Sequence, residues 1–151
     1  MMKKIILGLA CAAALLGTTV QAKEIRLASD FTYPPFNYKN SEGVPVGFDI
    51  EIADALCEQA KLECTWVSQS WDSLIPSLLA RKSDVIMASM RITEERKSKI
   101  LFTDKYYQTP AVFVAAKSAK FDIDKQGLDG KTIGVQQGTI HDRYVTDKFG
   151  D

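Results

Sequence analysis

The sequence predicts an α/β fold built on a parallel sheet, and three observations carry that reading. Strand-like and helix-like patterns alternate as β-α-β-α-β between residues 23 and 97, the order of a parallel sheet with helices on its faces. A strand, a glycine turn and a helix start then recur after residue 111, as if a second α/β unit were beginning. No internal repeat or low-complexity segment breaks the pattern. The first unit, about 23–107, has enough elements to bury a core, whereas the second is only begun by Asp151.

Each element has a local cause. Residues 23–30, "KEIRLASD", alternate and read as a strand that runs into an aromatic-proline turn, "FTYPPF". Turn chemistry around residues 40–43 predicts a hairpin across 37–47. "FDIEIADALCEQAKL" reads as a helix capped by Asp49, with Phe48, Ile52, Leu56 and Ala60 on its inner face. "ECTWVSQ" is the next strand, and "WDSLIPSLLARKS" a second helix that tolerates Pro76 in its first turn. "DVIMASM" is a strand, and "TEERKSK" a short helix that Thr93 can cap. Residues 111–115 form a strongly β-prone run, residues 121–131 are polar and turn-rich, and "TIGVQQGTIHDRYVTDKF" reads as strand, turn and helix.

The N-terminus is expected to be removed. "MMKK" is a basic leader, "IILGLACAAALLG" an apolar stretch of signal-peptide length, and Val20 and Ala22 are the small residues of a cleavage site. Cleavage after Ala22 gives an exported, soluble mature chain from Lys23. Cys11 then leaves with the leader, because Gly8 stands where a lipoprotein signal wants leucine. Cys57 and Cys64 remain, and an even pair in an exported protein is most simply a disulfide. Their six-residue gap fits neither zinc-ligand spacing nor C-x-x-C.

The 151 residues carry 19 basic and 19 acidic side chains, so no charge excess points to nucleic acid. The Walker, G-x-S-x-G, H-E-x-x-H and G-x-G-x-x-G patterns are all missing from the sequence. One histidine, His141, cannot build a metal site and reads as a polar helix-start residue. No cofactor is implied. In open α/β sheets, ligands collect outside the carboxyl ends of the parallel strands. Three loops lie there, "SDFTYPPF", "SQSWDS" and "SMRITEER". They supply Asp30 for a cation, Tyr33 and Trp71 as stacking surfaces, Ser89, and Arg96 beside a helix start for a carboxylate. Each also has a plainer reading: a turn aspartate, core aromatics, a strand-end serine, a solvated helix arginine.

Taken together, "TYPPF", "GFDIEIADALC", the paired cysteines, "WDSLIPSL", "DVIMASMRITEER", "FTDKYY" and "GVQQGT" resemble the periplasmic amino-acid-binding proteins of ABC importers. The likeness is to the branch for lysine, arginine, ornithine and histidine, and covers nearly the whole mature chain. It implies a two-lobe periplasmic-binding-protein-like fold of type II, with lobes at 23–107 and 112–151 and a hinge crossing at 108–111. It implies a free L-amino acid as ligand, a membrane permease as partner, a monomer, and a periplasmic location. Residue by residue, it implies that Arg96 pairs with the ligand carboxylate and Ser89 meets the amino group. Asp30 would receive a side-chain cation, Tyr33 and Trp71 would wall it, and the backbone at Thr139, Ile140 and His141 would reach the carboxylate.

Two departures qualify the likeness. Arg91 stands where many such binders have a small hydroxyl residue, and a cation there repels an ammonium unless it points away. Its backbone N–H remains available to a carboxylate. Family members are also longer, so a chain ending at Asp151 is expected to lack a finished second lobe. Two other functions fit the same architecture: an exported dehydratase acting on prephenate-like substrates, which needs a general acid in the cleft, and the sensor domain of a larger receptor.

Overall fold

The computed structural model describes residues 24–150. The leader, its cleavage after Ala22 and Cys11 lie outside the described residues. Strand β1 (Ile25–Ser29) is the centre of a three-stranded parallel sheet, with β5 (Cys64–Ser68) on one side and β6 (Val85–Ile86) on the other. Leu27 pairs with Trp66 and with Val85, and Ala28 with Ile86. Leu27, Ala28 and Ser29 are all buried, because a central parallel strand is covered on both faces. The core gathers Ala28, Leu74 and Ala88, with Trp71, Ile86 and Met90 packed against it.

A small antiparallel sheet sits between β1 and the first long helix. It consists of β2 (Thr32–Tyr33), β3 (Asn37–Lys39) and β4 (Pro45–Val46), in that order. The β3–β4 hairpin turns where the sequence places it, and the Asn40 side chain accepts from the Glu42 and Val44 N–H groups.

Helix α1 (Phe48–Ala60) follows Gly47, whose φ is +122° and where a Cβ would meet the Phe36 carbonyl oxygen at 2.4 Å. Only glycine fits there. The Phe48 and Asp49 N–H groups donate to the Pro35 and Phe36 carbonyls, so backbone satisfies the helix start. Asp49 therefore does not cap α1, contrary to the expectation from sequence. Its side chain is fully buried instead, and the inward face of α1 is Asp49, Ile50 and Ala53. The expected stripe is largely open, with Phe48 42% and Leu56 59% exposed. A shift of one position around the helix brings the carboxylate to its partners.

The end of α1 is held by Lys61, in the left-handed region, and by the Cys57–Cys64 disulfide across the turn into β5. The second helix divides into a 3-10 turn (Trp71–Ser73) and α2 (Leu74–Leu79), with Pro76 near its start. Strand β6 is shorter than its apolar run suggests, because the chain departs from the sheet after Met87, which still donates to the Ala28 carbonyl. Helix α3 (Glu94–Lys97) is capped as expected: the Thr93 hydroxyl accepts from the Arg96 N–H at 3.2 Å.

Residues 101–116 have neither helix nor strand. The β-prone run at 111–115 is exposed, Val112 at 76% and Val114 at 90%. Residues 132–135 likewise form no strand. Strand propensity takes effect only against a neighbouring strand, and no described residue pairs with either run in a sheet. Helix α4 (Lys125–Leu128) arises in the polar stretch read as turns, because Asp124 accepts from the Gly127 N–H at 2.7 Å. Helix α5 (Ile140–Phe149) starts at Thr139, whose hydroxyl accepts from the Asp142 N–H at 3.2 Å.

Candidate functional site

The carboxyl ends of β1, β5 and β6 share one edge of the sheet, so the loops after them converge. There a cleft of about 230 Å³ opens between the Trp71 and Arg96 loops and the start of α5. Trp71, Met90, Arg96, Gly138, Thr139 and Arg143 are among the residues that line it.

Arg96 is the organising charge. Its guanidinium carbon lies 5.4 Å from the centre of the Trp71 ring, within cation–π range. Nη1 donates to the Arg91 carbonyl at 2.9 Å and Nη2 to the Gly138 carbonyl at 3.2 Å. The same Gly138 carbonyl accepts from the Trp71 indole at 3.3 Å. Burial lowers the Arg96 pKa from its ordinary value, the sign of a cation taken partly out of water. Among the described residues, no carboxylate forms an ion pair with it. The half-buried guanidinium is thus fixed by a ring and two carbonyls, and the nearby Glu95 carboxylate, bonded to Arg143, acts on it only through space.

A neighbouring ion pair spans the same cleft. Arg143 on α5 donates to the Glu95 carboxylate on α3, and this bond holds the Glu95 carboxyl below the usual range. Glu95 in turn raises the Arg143 pKa.

Of the ligand-site residues singled out from sequence, the cleft brings together Trp71, Arg96, Thr139 and Ile140. Arg91 contributes its carbonyl to Arg96, while its own guanidinium turns away and donates to the Thr109 carbonyl at 3.0 Å. Asp30, Tyr33, Ser89 and His141 do not line this cleft. Asp30 accepts from the Thr32 hydroxyl at 2.7 Å. Tyr33 is 44% exposed, and its ring stacks on Phe36, which stacks on Tyr107. His141 is exposed in the first turn of α5.

Sequence reasoning missed a buried carboxylate with three side-chain partners. Buried Asp49 accepts from the Asn37 amide at 2.8 Å, the Ser89 hydroxyl at 2.6 Å and the Tyr106 hydroxyl at 2.7 Å. Ser29 extends the network by donating to the Asn37 side-chain oxygen at 3.0 Å. Burial, reinforced by the bond to Asp49, raises the Tyr106 phenol well above its usual pKa. Ser89 has φ +52°, a conformation costing a non-glycine residue about 1–2 kcal/mol, and its hydroxyl is committed to Asp49. The only signal in sequence was a polar residue on the helix face that packing needed. Gly138, whose carbonyl joins Trp71 to Arg96, was legible only as a glycine turn.

Residues 25–143 match the model of the bacterial extracellular solute-binding proteins, family 3. The L-arginine-binding protein of Pseudomonas aeruginosa is 45% identical over 147 residues, covering 96% of this chain and 57% of that protein. This chain thus spans little more than half the length of that curated relative. A Salmonella typhimurium periplasmic binding protein, solved for its high arginine specificity, is 38% identical with a TM-score of 0.78, over 84% of this chain and 56% of that one. The arginine-bound domain 1 of the T. maritima arginine-binding protein is 38% identical with a TM-score of 0.54, over 56% of this chain and 67% of that one. The match along most of the chain, in sequence and in fold, decides the family: this chain belongs to the bacterial extracellular solute-binding proteins, family 3.

Proposed function

We propose that this chain is the exported substrate-binding component of an ABC importer. It captures a polar, basic L-amino acid (arginine, lysine, ornithine or histidine) between two lobes and delivers it to a membrane permease. The single observation that supports this most is Arg96, a partly desolvated cation at a cleft without an ion-pair partner among the described residues. An α-carboxylate supplies a direct ion-pair partner, and a charge-assisted pair is strongest where water is excluded. Trp71 backs the guanidinium and offers a flat wall. Asp30 and Tyr33 serve the side-chain end of the ligand. Arg91, turned toward Thr109, leaves room for the ligand ammonium and supplies only backbone. Residues 23–107 and 112–151 belong to the two lobes, which close about 108–111. The mature chain begins at Lys23, works in the periplasm and is a monomer. The arginine-binding relatives support the ligand class.

Calorimetric titration with the twenty amino acids tests this reading. Basic amino acids should bind, and Arg96→Met should abolish the heat. Binding that survives Arg96→Met, or no binding by any amino acid, would overturn it.

A further inference from the structure

We propose that Asp49 is a positioning residue for the amino-acid site, acting through Ser89 and Tyr106. The inference rests on the binding function proposed above and extends it to a residue that touches no ligand.

Asp49 is fully buried and accepts from three side chains on three separate stretches of chain. The Ser89 bond is the shortest of the three, 2.6 Å, and it is made by a residue with left-handed backbone. Ser89 lies three residues past the end of β6, where the chain runs toward Arg91, Thr93 and Arg96. A serine has no intrinsic preference for that φ, so an external hold on its side chain sets the direction of the whole loop. Asp49 provides the hold. The second carboxylate oxygen takes the Tyr106 hydroxyl, which anchors the segment after α3 to the same atom group. Tyr107, next in sequence, stacks on Phe36 at 4.7 Å, and Phe36 stacks on Tyr33 at 5.1 Å. Adjacent tyrosines thus tie one segment both to the loop that carries Arg96 and to the aromatic wall. A shift of that segment is felt at both places.

The test uses Asp49→Asn, alone and with Ser89→Gly, in the full chain. Two quantities are read: the Ser89 carbon chemical shifts, which report the sign of its φ, and calorimetric affinity for L-arginine. Asp49→Asn should move the Ser89 shifts away from left-handed values and weaken arginine binding about tenfold, as loss of a hydrogen bond to a charged group does. Glycine adopts positive φ unaided, so Ser89→Gly on that background should restore part of the affinity. A purely structural role for Asp49 predicts no such rescue. Unchanged Ser89 shifts in folded Asp49→Asn, or no recovery with glycine, would overturn the proposal. If the wild-type chain binds no arginine, the functional reading fails while the Ser89 shifts still decide the role of Asp49. Should Asp49→Asn not fold, Asp49→Glu keeps the charge but displaces it, and the same shifts should move; unmoved shifts count against the idea.

Discussion

The Arg96 guanidinium lies 5.4 Å from the centre of the Trp71 ring, and both side chains donate to the carbonyl of Gly138. One carbonyl thus fixes a cation and the aromatic face that supports it. Replacing Trp71 by leucine removes the face while keeping apolar bulk. The cation–π term is worth about 1 kcal/mol, so L-arginine affinity should fall roughly fivefold, with Trp71→Phe in between. Calorimetry on the three proteins checks the order.

The role proposed for Asp30 is to separate ligands by charge. Among the described residues, its carboxylate accepts a side-chain hydrogen bond from the neighbouring Thr32 hydroxyl, an exposed bond. Asp30→Ala should weaken arginine about tenfold and glutamine by less than about twofold. Equal losses for both ligands would remove Asp30 from the side-chain end of the site.

The Glu95–Arg143 pair makes the contact between α3 and α5 sensitive to acid. The folded-state carboxyl is depressed below its ordinary value of 4.5, chiefly by the Arg143 bond. Its contribution is complete above that value and is lost as the pH falls through the lower, folded-state one. Wild type should therefore melt above Glu95→Gln at about pH 6 and lose that lead progressively as the pH is taken below 4.5. Melting curves of both proteins across that range decide it, and a lead unchanged in acid would contradict the pairing.

The Cys57–Cys64 disulfide closes a loop with a sequence separation of 7 between α1 and β5. In the chain-entropy model so short a loop contributes about 2–3 kcal/mol. Paired serine substitutions should lower the unfolding free energy by about that amount, read from urea curves as a lower midpoint. An unchanged unfolding free energy would contradict the chain-entropy account of the link.

The candidate site was legible where one residue type suffices. Arg96 stood out as a cation beside a helix start at a strand end, and Trp71 as an aromatic in the adjoining loop. Thr93 was readable as a cap because the bond it makes closes within three residues. Asp49 was misread for the complementary reason. Its local position suits a cap, but the carbonyls of Pro35 and Phe36 already accept from that helix start. The β-prone run at 111–115 has strand composition, yet composition supplies no partner strand.

The sequence by itself determined the alternation of elements, the caps, the cysteine pair and the kinds of charge at the strand ends, all consequences of short-range pattern. Only the tertiary structure decided that Asp49 holds Ser89, 40 residues away, and Tyr106, 57 away, or that Trp71 meets Gly138 across 67 residues. Those bonds depend on where the chain crosses itself. A hydroxyl, an amide and a carboxylate each fit many partners, and packing selects one set by excluding water from it.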